Sequence, residues 1–194
     1  MSIKNTTRQT LLIKVRDQYD EAAWNEFIAF YRPYVYRVIQ NVKIISPVDL
    51  EDIVQEVMLI SWKKLPEFVY APEKGRFRSW ISTITHRTAY AFKSKKNKSE
   101  VFEGSVKSKE LQQGLSPEID QVYQDEWEKH VSETAWENIK NKFDPQVLET
   151  FKRLASGEKG EIVAKELNLS QNSVYVYKKR VMAALQKEIA YLDD

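Results

Sequence analysis

Apolar residues recur at helical spacing through most of the chain. From Glu21 to Gln40 they are Trp24, Phe27, Ile28, Tyr31, Val35, Val38 and Ile39, which stacks them along one helix face. A shorter helix opens before it, over Thr10 to Val15, with Leu11, Leu12 and Val15 apolar. Asp20 is placed to cap the longer helix, and Pro33 to kink or divide it. Ser46-Pro47 marks a turn, and Asp49 then starts a third helix. Its Leu50, Ile53, Val57 and Ile60 share one face, with Val54 and Ser61 beside them. The opposite face carries Asp52, Gln55, Glu56, Leu59, Trp62 and Lys63.

Pro66 ends that helix, and Pro72 and Gly75 make the segment up to residue 75 a loop. A fourth helix is predicted from about Arg76. Phe77, Trp80, Ile81, Ile84, Thr88, Ala91 and Phe92 fall on one side of it. Ser79, Ser82, Thr83, His86, Tyr90 and Lys93 fall on the other. Ser99 to Pro117 shows no sustained period, with two glycines and several serines, and reads as a linker. Ile119 to Phe143 then reads as a long helix with Ile119, Val122, Tyr123, Trp127, Val131, Ala135 and Ile139 apolar. Asp144-Pro145 opens another, which stops at Ser156-Gly157.

The last stretch, Gly160 to Leu192, reads as helix, short turn, helix. Ile162, Val163 and Leu167 are apolar in the first helix, and Ala164 is small enough for a close crossing. Asn168 takes the left-handed turn position, Leu169 plugs the core and Ser170 caps the second helix. Val174, Val181, Leu185, Ile189 and Leu192 line that helix's inner face. Asn172, Val176, Lys179, Arg180 and Ala183 point outward, with Gln171, Ser173 and Tyr175 at the leading end. The predicted fold is all-α: two small helical domains, 1–98 and 119–194, joined by a flexible linker over 99–118.

Composition narrows the functional classes. Five glycines and six prolines in 194 residues do not suit a fold of many tight β-turns. No cysteine is present, which removes disulfides, thiolate metal sites and cysteine nucleophiles. The N-terminal stretch does not read as a signal peptide, and no apolar run is long enough to span a bilayer. A soluble, cytoplasmic protein without direct membrane insertion is expected. His86 and His130 are the only histidines and lie in different predicted domains. No metal-ligand cluster, phosphate-cradling glycine loop or nucleophile elbow is found, so no catalytic residue, metal, cofactor or small-molecule substrate is expected.

Net charge is only +2, but its distribution is uneven. No Asp or Glu lies between Glu73 and Glu100, a stretch that holds Lys74, Arg76, Arg78, Arg87, Lys93, Lys95, Lys96 and Lys98. Solvated helices usually mix charge signs, so an acid-free, aromatic-bearing segment suits a polyanion with stackable bases. The third helix has the opposite character. Leu59 and Trp62 among carboxylates and an amide suit either a small protein-binding patch or a face covered by another helix of the domain. The C-terminal helix pair, with a basic, amide-rich second helix, suits a helix-turn-helix that enters a major groove. There Asn and Gln read adenine, and Lys and Arg read guanine or hold phosphates.

The sequence DLEDIVQEVML is followed by Phe77, Trp80, Ile81 and Ile84 in an F-x-x-W-I-x-x-I pattern, and NSVYVYKKRVMAAL lies at the C-terminal end. In these motifs and their order the chain resembles a bacterial sigma-70 family RNA polymerase sigma factor of the extracytoplasmic-function (ECF) group. The resemblance covers Thr10 to Leu192, apart from the linker. It implies that the acidic helix docks on the clamp helices of the polymerase largest subunit through Asp52, Gln55, Glu56 and Leu59. It implies that the loop 66–75 and then Arg76, Arg78, Ser82, Thr83, His86, Arg87 and Tyr90 melt the minus-10 element and hold flipped non-template bases. It implies that the helix-turn-helix reads the minus-35 duplex through Gln171, Asn172, Ser173, Tyr175, Val176, Lys179 and Arg180. The resemblance also admits an anti-sigma protein as a partner, wedged between the domains.

Three positions depart from the family pattern. Arg87 stands where many members have Asn, Ala91 where a nearby Asp is usual, and Asn168 where the turn glycine is usual. An Arg keeps phosphate contact but lacks the base-edge pattern of an amide. The implied function is a promoter-specificity subunit without an active site of its own, whose partners are core RNA polymerase and promoter DNA. The alternative is a stand-alone helix-turn-helix transcription regulator, which leaves the Asp52–Leu59 patch without a role.

Overall fold

The structure, a computed structural model, describes residues 8–41, 45–68, 76–100 and 117–193. Among these residues the regular elements are all helical. They are α1 (Arg8–Lys14), α2 (Glu21–Asn41), α3 (Leu50–Lys64), α4 (Phe77–Glu100), α5 (Pro117–Lys140), α6 (Pro145–Ala155), α7 (Gly160–Glu166) and α8 (Gln171–Leu192). A single 3-10 turn over Leu65–Glu67 follows α3. The all-α expectation holds. Most of the expected linker and of the loop up to residue 75 lies outside the described residues.

Local signals set most helix ends. The Ala23 backbone N–H donates to Asp20 Oδ1 at 2.9 Å, so Asp20 holds the start of α2. Pro145 stands at the first position of α6. Gly157, at φ +94°, ends α6 with a conformation that costs glycine little. Pro33 does not divide α2, which runs unbroken through it. Pro33 and Ala29, whose carbonyl loses its donor, are both exposed, so water is available to that carbonyl.

The chain divides into two compact units, one within Met1–His130 and the other Val131–Asp193. The boundary falls inside α5. In the first unit, α2, α3 and α4 pack on one another, with α1 against α2. Their core is strongly aromatic. Phe27 lies 4.6 Å from Tyr31 and 6.0 Å from Phe77, centroid to centroid, and Phe77 lies 5.0 Å from Trp80. Loop ends are tied in by Gln18 Nε2, which donates to the Trp62 carbonyl at 3.0 Å.

The first half of α5 belongs to this unit and covers a second face of α2. Trp127 stacks on Tyr31 at 6.0 Å and meets Phe30 and Tyr34 edge-on at 5.8 and 5.1 Å. His130 sits 4.8 Å from Phe30. Phe30 and Tyr34 are therefore buried, although neither belongs to the single stripe that the period predicts. Ile28, which does, is 37% exposed. On α4 the buried side is likewise wider than predicted: Ser82, Thr85 and Ala89 join Phe77, Ile81 and Ile84, while Ala91 is exposed. Val122 of α5 is exposed rather than core. The additional buried positions share one physical reason. A helix packed from two directions buries an arc broader than one apolar stripe.

In the second unit, α6 and α7 pack on α8, and α6 packs on α7. Ile139, Val147 and Val181 are buried together, with Trp136, Phe143, Phe151 and Leu185 packed against them. Trp136 stacks on Phe151 at 5.8 Å. Arg153 makes a fork of hydrogen bonds to both carboxylate oxygens of Glu158 and also pairs with Glu166, tying the end of α6 to α7 across the turn. That contact holds the Glu158 carboxyl below its ordinary range and the Arg153 guanidinium above its own.

Candidate protein and nucleic-acid interfaces

Helix α3 keeps one face for the core and one for solvent. Ile53, Val54, Val57 and Ser61 are buried, and Ser61 satisfies its hydroxyl on the Val57 carbonyl at 2.8 Å. Asp52, Gln55, Glu56, Leu59, Trp62 and Lys63 are all exposed. Among the described residues no helix covers Leu59 or Trp62, at 43% and 39% exposure. The neighbouring acid Glu51 is engaged by Arg32, which holds its carboxyl below the ordinary range. Arg32 thus spends its charge within the unit, and the outward face stays predominantly acidic.

Arg76, just before α4, and Arg87 within it are exposed, while Arg78, Thr83, His86 and Tyr90 are half-buried. Thr83 turns its hydroxyl to the Ser79 carbonyl at 2.8 Å, an i−4 bond within the helix. His86 lies against Tyr90, ring to ring at 4.3 Å, and its Nδ1 shares a hydrogen bond with the Tyr123 hydroxyl at 3.4 Å. Burial first, and the Arg87 charge second, hold His86 below the ordinary histidine range. The imidazole is therefore neutral at neutral pH and offers hydrogen bonds rather than charge. Burial, with Tyr34 and Tyr90 nearby, pushes the Tyr123 hydroxyl up.

Ser82 differs from its group. It is 2% exposed, and its hydroxyl lies 2.8 Å from that of Tyr34. The helical wheel puts Ser82 beside Thr83 and His86, but Tyr34 and its neighbours cover it. Tyr34 and Tyr123, which support Ser82 and His86 from behind, carry no local signal that separates them from ordinary core aromatics.

In the second unit, Leu169 N bonds to the Ala164 carbonyl at 2.8 Å, closing the turn between α7 and α8. Asn168 sits there at φ +51°, the left-handed position expected of it. Ser170 caps α8 by accepting from Ser173 N at 3.0 Å. Val174 and Val181 are buried. Gln171, Asn172, Tyr175, Val176, Lys179 and Arg180 are exposed, Tyr175 at 64%, and Ser173 is half-buried. One side of α8 thus holds the unit together and the other presents amides, an aromatic ring and two cations.

Residues 27–99 match the family model described as Sigma-70 region 2. Over this segment the chain is similar to sigma-70 region 2. The match begins inside α2 and ends at the close of α4, so region 2 contains both the acidic face of α3 and the acid-free surface of α4. A solved structure, CnrH in complex with the cytosolic domain of CnrY, aligns over 95% of this chain and 96% of that chain. Its identity is 17% and its TM-score 0.39. No curated protein matches the chain. Among the described residues, no helix is long and apolar enough to cross a membrane.

Proposed function

We propose that this chain is an ECF-type sigma factor. On this reading it docks on core polymerase through Asp52, Gln55, Glu56 and Leu59, and it opens and reads promoters with two DNA-binding surfaces. The observation that carries the proposal is the pairing inside region 2. An outward acidic face with exposed Leu59 and Trp62 stands one helix away from a segment, 74–99, without Asp or Glu, in which Arg76 and Arg87 are exposed. One surface suits a protein with basic residues, and the other suits nucleic acid.

The α4 surface acts on the melted minus-10 strand. Extruding a base costs a few kcal/mol. Phosphate contacts from Arg76, Arg78 and Arg87 offset part of that, and Tyr90 supplies a stacking ring beside a neutral His86. Thr83 completes this surface, whereas Ser82 acts from within by holding Tyr34. The second unit, Val131–Asp193, is the minus-35 reader, a helix-turn-helix whose Gln171, Asn172, Ser173, Tyr175, Val176, Lys179 and Arg180 face the major groove. The linker over 99–118 raises the effective concentration of one reader once the other is bound. An anti-sigma protein that covers either surface switches the factor off. The protein works in the cytoplasm, where its polymerase and promoters are.

Reconstituted transcription tests the reading: core polymerase with this protein on a promoter library, read by start site. Specific starts that depend on the protein are expected. Asp52→Lys with Leu59→Glu removes polymerase binding while the fold is retained. If the unmutated chain never joins core polymerase but binds duplex DNA alone, the stand-alone regulator is correct instead. Binding of a non-template oligonucleotide by the assembled holoenzyme is expected to weaken with salt, by a log–log slope of roughly −2 from three phosphate contacts.

A further inference from the structure

The leading turns of α5 lie on the part of α4 that the minus-10 reading needs. The Tyr123 hydroxyl bonds to His86 Nδ1, and the Tyr123 ring meets the His86 ring edge-on at 6.2 Å. The Tyr123 carbonyl accepts from the Tyr34 hydroxyl, which in turn bonds to Ser82. Tyr90 packs on the other side of His86. One residue of α5 thus engages His86 directly and Ser82 through Tyr34, and is itself 3% exposed. While Tyr123 is in place, a base cannot use the His86 nitrogen that it occupies.

The charge of this part of α5 is one-sided. Between Pro117 and Glu128 stand five acids, Glu118, Asp120, Asp125, Glu126 and Glu128, and no Lys or Arg. The α4 segment beneath, 77–99, has cations and no acid. An acidic element seated on a basic one is electrostatically matched to it, and so is the phosphate backbone of a nucleic acid. Glu118, Asp120 and Asp125 are exposed, so the matched charge stays on the solvent side of the contact.

The contact is also built to part. Its two hydrogen bonds from Tyr123, at 3.4 and 3.3 Å, are long for their kind and correspondingly weak. The groups it covers, a serine hydroxyl and an imidazole, are at ease in water once uncovered. The apolar anchor is one turn further on, at Trp127, which is 1% exposed among Phe30, Tyr31 and Tyr34. The turns before Trp127 can therefore peel back without opening the aromatic core. They also lie beyond the region 2 match, which ends at residue 99.

We propose that the leading turns of α5, residues 117–125, are an autoinhibitory strap: an acidic segment that takes the place of the single strand on α4 and is displaced by it. The proposal rests on the minus-10 reading of α4. The strap and the strand compete for His86 and for the same cations, so the free chain binds single strands poorly. Affinity rises when the strap is weakened, because a competitor tethered in the same chain lowers apparent affinity by the fraction of time it is seated.

The test uses the full chain and a single-stranded oligonucleotide with the non-template minus-10 sequence of a promoter found by the reconstituted transcription above. Glu118→Gln, Asp120→Asn and Asp125→Asn are combined in one strap variant. A control variant, Glu21→Gln with Glu26→Gln and Glu67→Gln, removes the same charge from exposed positions away from α5. Thermal melts establish that both fold. The strap variant is expected to bind the oligonucleotide at least about fivefold more tightly than the unmutated chain, with the gain shrinking as salt rises. The control is expected to stay within about twofold. An equal gain in the control overturns the proposal, since net charge alone then explains it. If the holoenzyme binds the oligonucleotide but the strap variant binds it no better than the unmutated chain does, the strap is overturned and the minus-10 reading stands. If the holoenzyme does not bind it either, both fall. Amide hydrogen exchange gives an independent readout. Exchange over residues 118–124 of the unmutated chain is expected to speed up as oligonucleotide is added, and unchanged or slower exchange there overturns the proposal.

Discussion

The Tyr34 hydroxyl lies 2.8 Å from the Ser82 hydroxyl and 3.3 Å from the Tyr123 carbonyl, and so joins α2 to both α4 and α5. Tyr34 donates to the carbonyl, which leaves Ser82 to donate to Tyr34. A buried polar relay of this kind contributes little net when intact and costs more when half is removed. Tyr34→Phe is expected to destabilise the protein by about 1–2 kcal/mol in urea melts. A double-mutant cycle with Ser82→Ala should show a coupling of about 0.5–1.5 kcal/mol. Additive effects would mean that the two hydroxyls act independently.

Trp127 is 1% exposed and touches Phe30, Tyr31 and Tyr34. Truncating a large buried aromatic leaves a cavity that the surroundings fill only in part. Trp127→Ala is expected to cost about 3–5 kcal/mol, read as a lower denaturation midpoint. A fragment that ends at residue 98 lacks this cover, so Phe30 and Tyr34 lose their partners. It should melt earlier and less cooperatively than one that ends at residue 140. Equal melting of the two fragments would show that α5 is dispensable to the first unit.

His86 gives the first unit a pH dependence with a defined sign. Its folded pKa lies below the ordinary 6.5, so on acidification the unfolded chain takes up the proton first. Stability is expected to be flat above neutrality and to fall as pH drops through about 6.5, levelling once the folded form also protonates. His86→Gln removes that part of the slope. Stability measured against pH for the pair isolates the effect. A steeper acid slope in the variant would reverse the assignment.

Asn168 occupies a left-handed turn position at φ +51°. An L-residue there is strained by roughly 1–2 kcal/mol, less for Asn, and glycine is not. Asn168→Gly is therefore expected to raise the stability of the second unit slightly, and Asn168→Val to lower it by about 1–2 kcal/mol. Loss of stability on Asn168→Gly would point instead to a bond made by the amide side chain. Ser170→Ala, which removes the α8 cap, should cost about 1 kcal/mol in the same assay.

Much of this molecule is legible in the chain itself. Helix starts at Asp20, Asp144 and Ser170 and the left-handed turn at Asn168 all follow from residues within a few positions of one another, whereas the chain alone does not decide whether the outer face of α3 is covered. Caps, turn conformations and a period of 3.6 are local properties, so a local reading recovers them. The uneven distribution of charge between α3 and α4 is equally a property of the sequence.

Other features depend on which elements meet. Phe30 and Tyr34 are core because Trp127 and His130, about a hundred residues later, lie on them. Ser82 is internal because Tyr34 reaches it across two helices. Ile28 keeps the spacing of a core residue but lines an open groove. A helical period tells which residues share a face; it does not tell how many neighbours press on that face or where they stop. That is decided by long-range packing, and it separates the side chains that build region 2 from those it leaves available to partners.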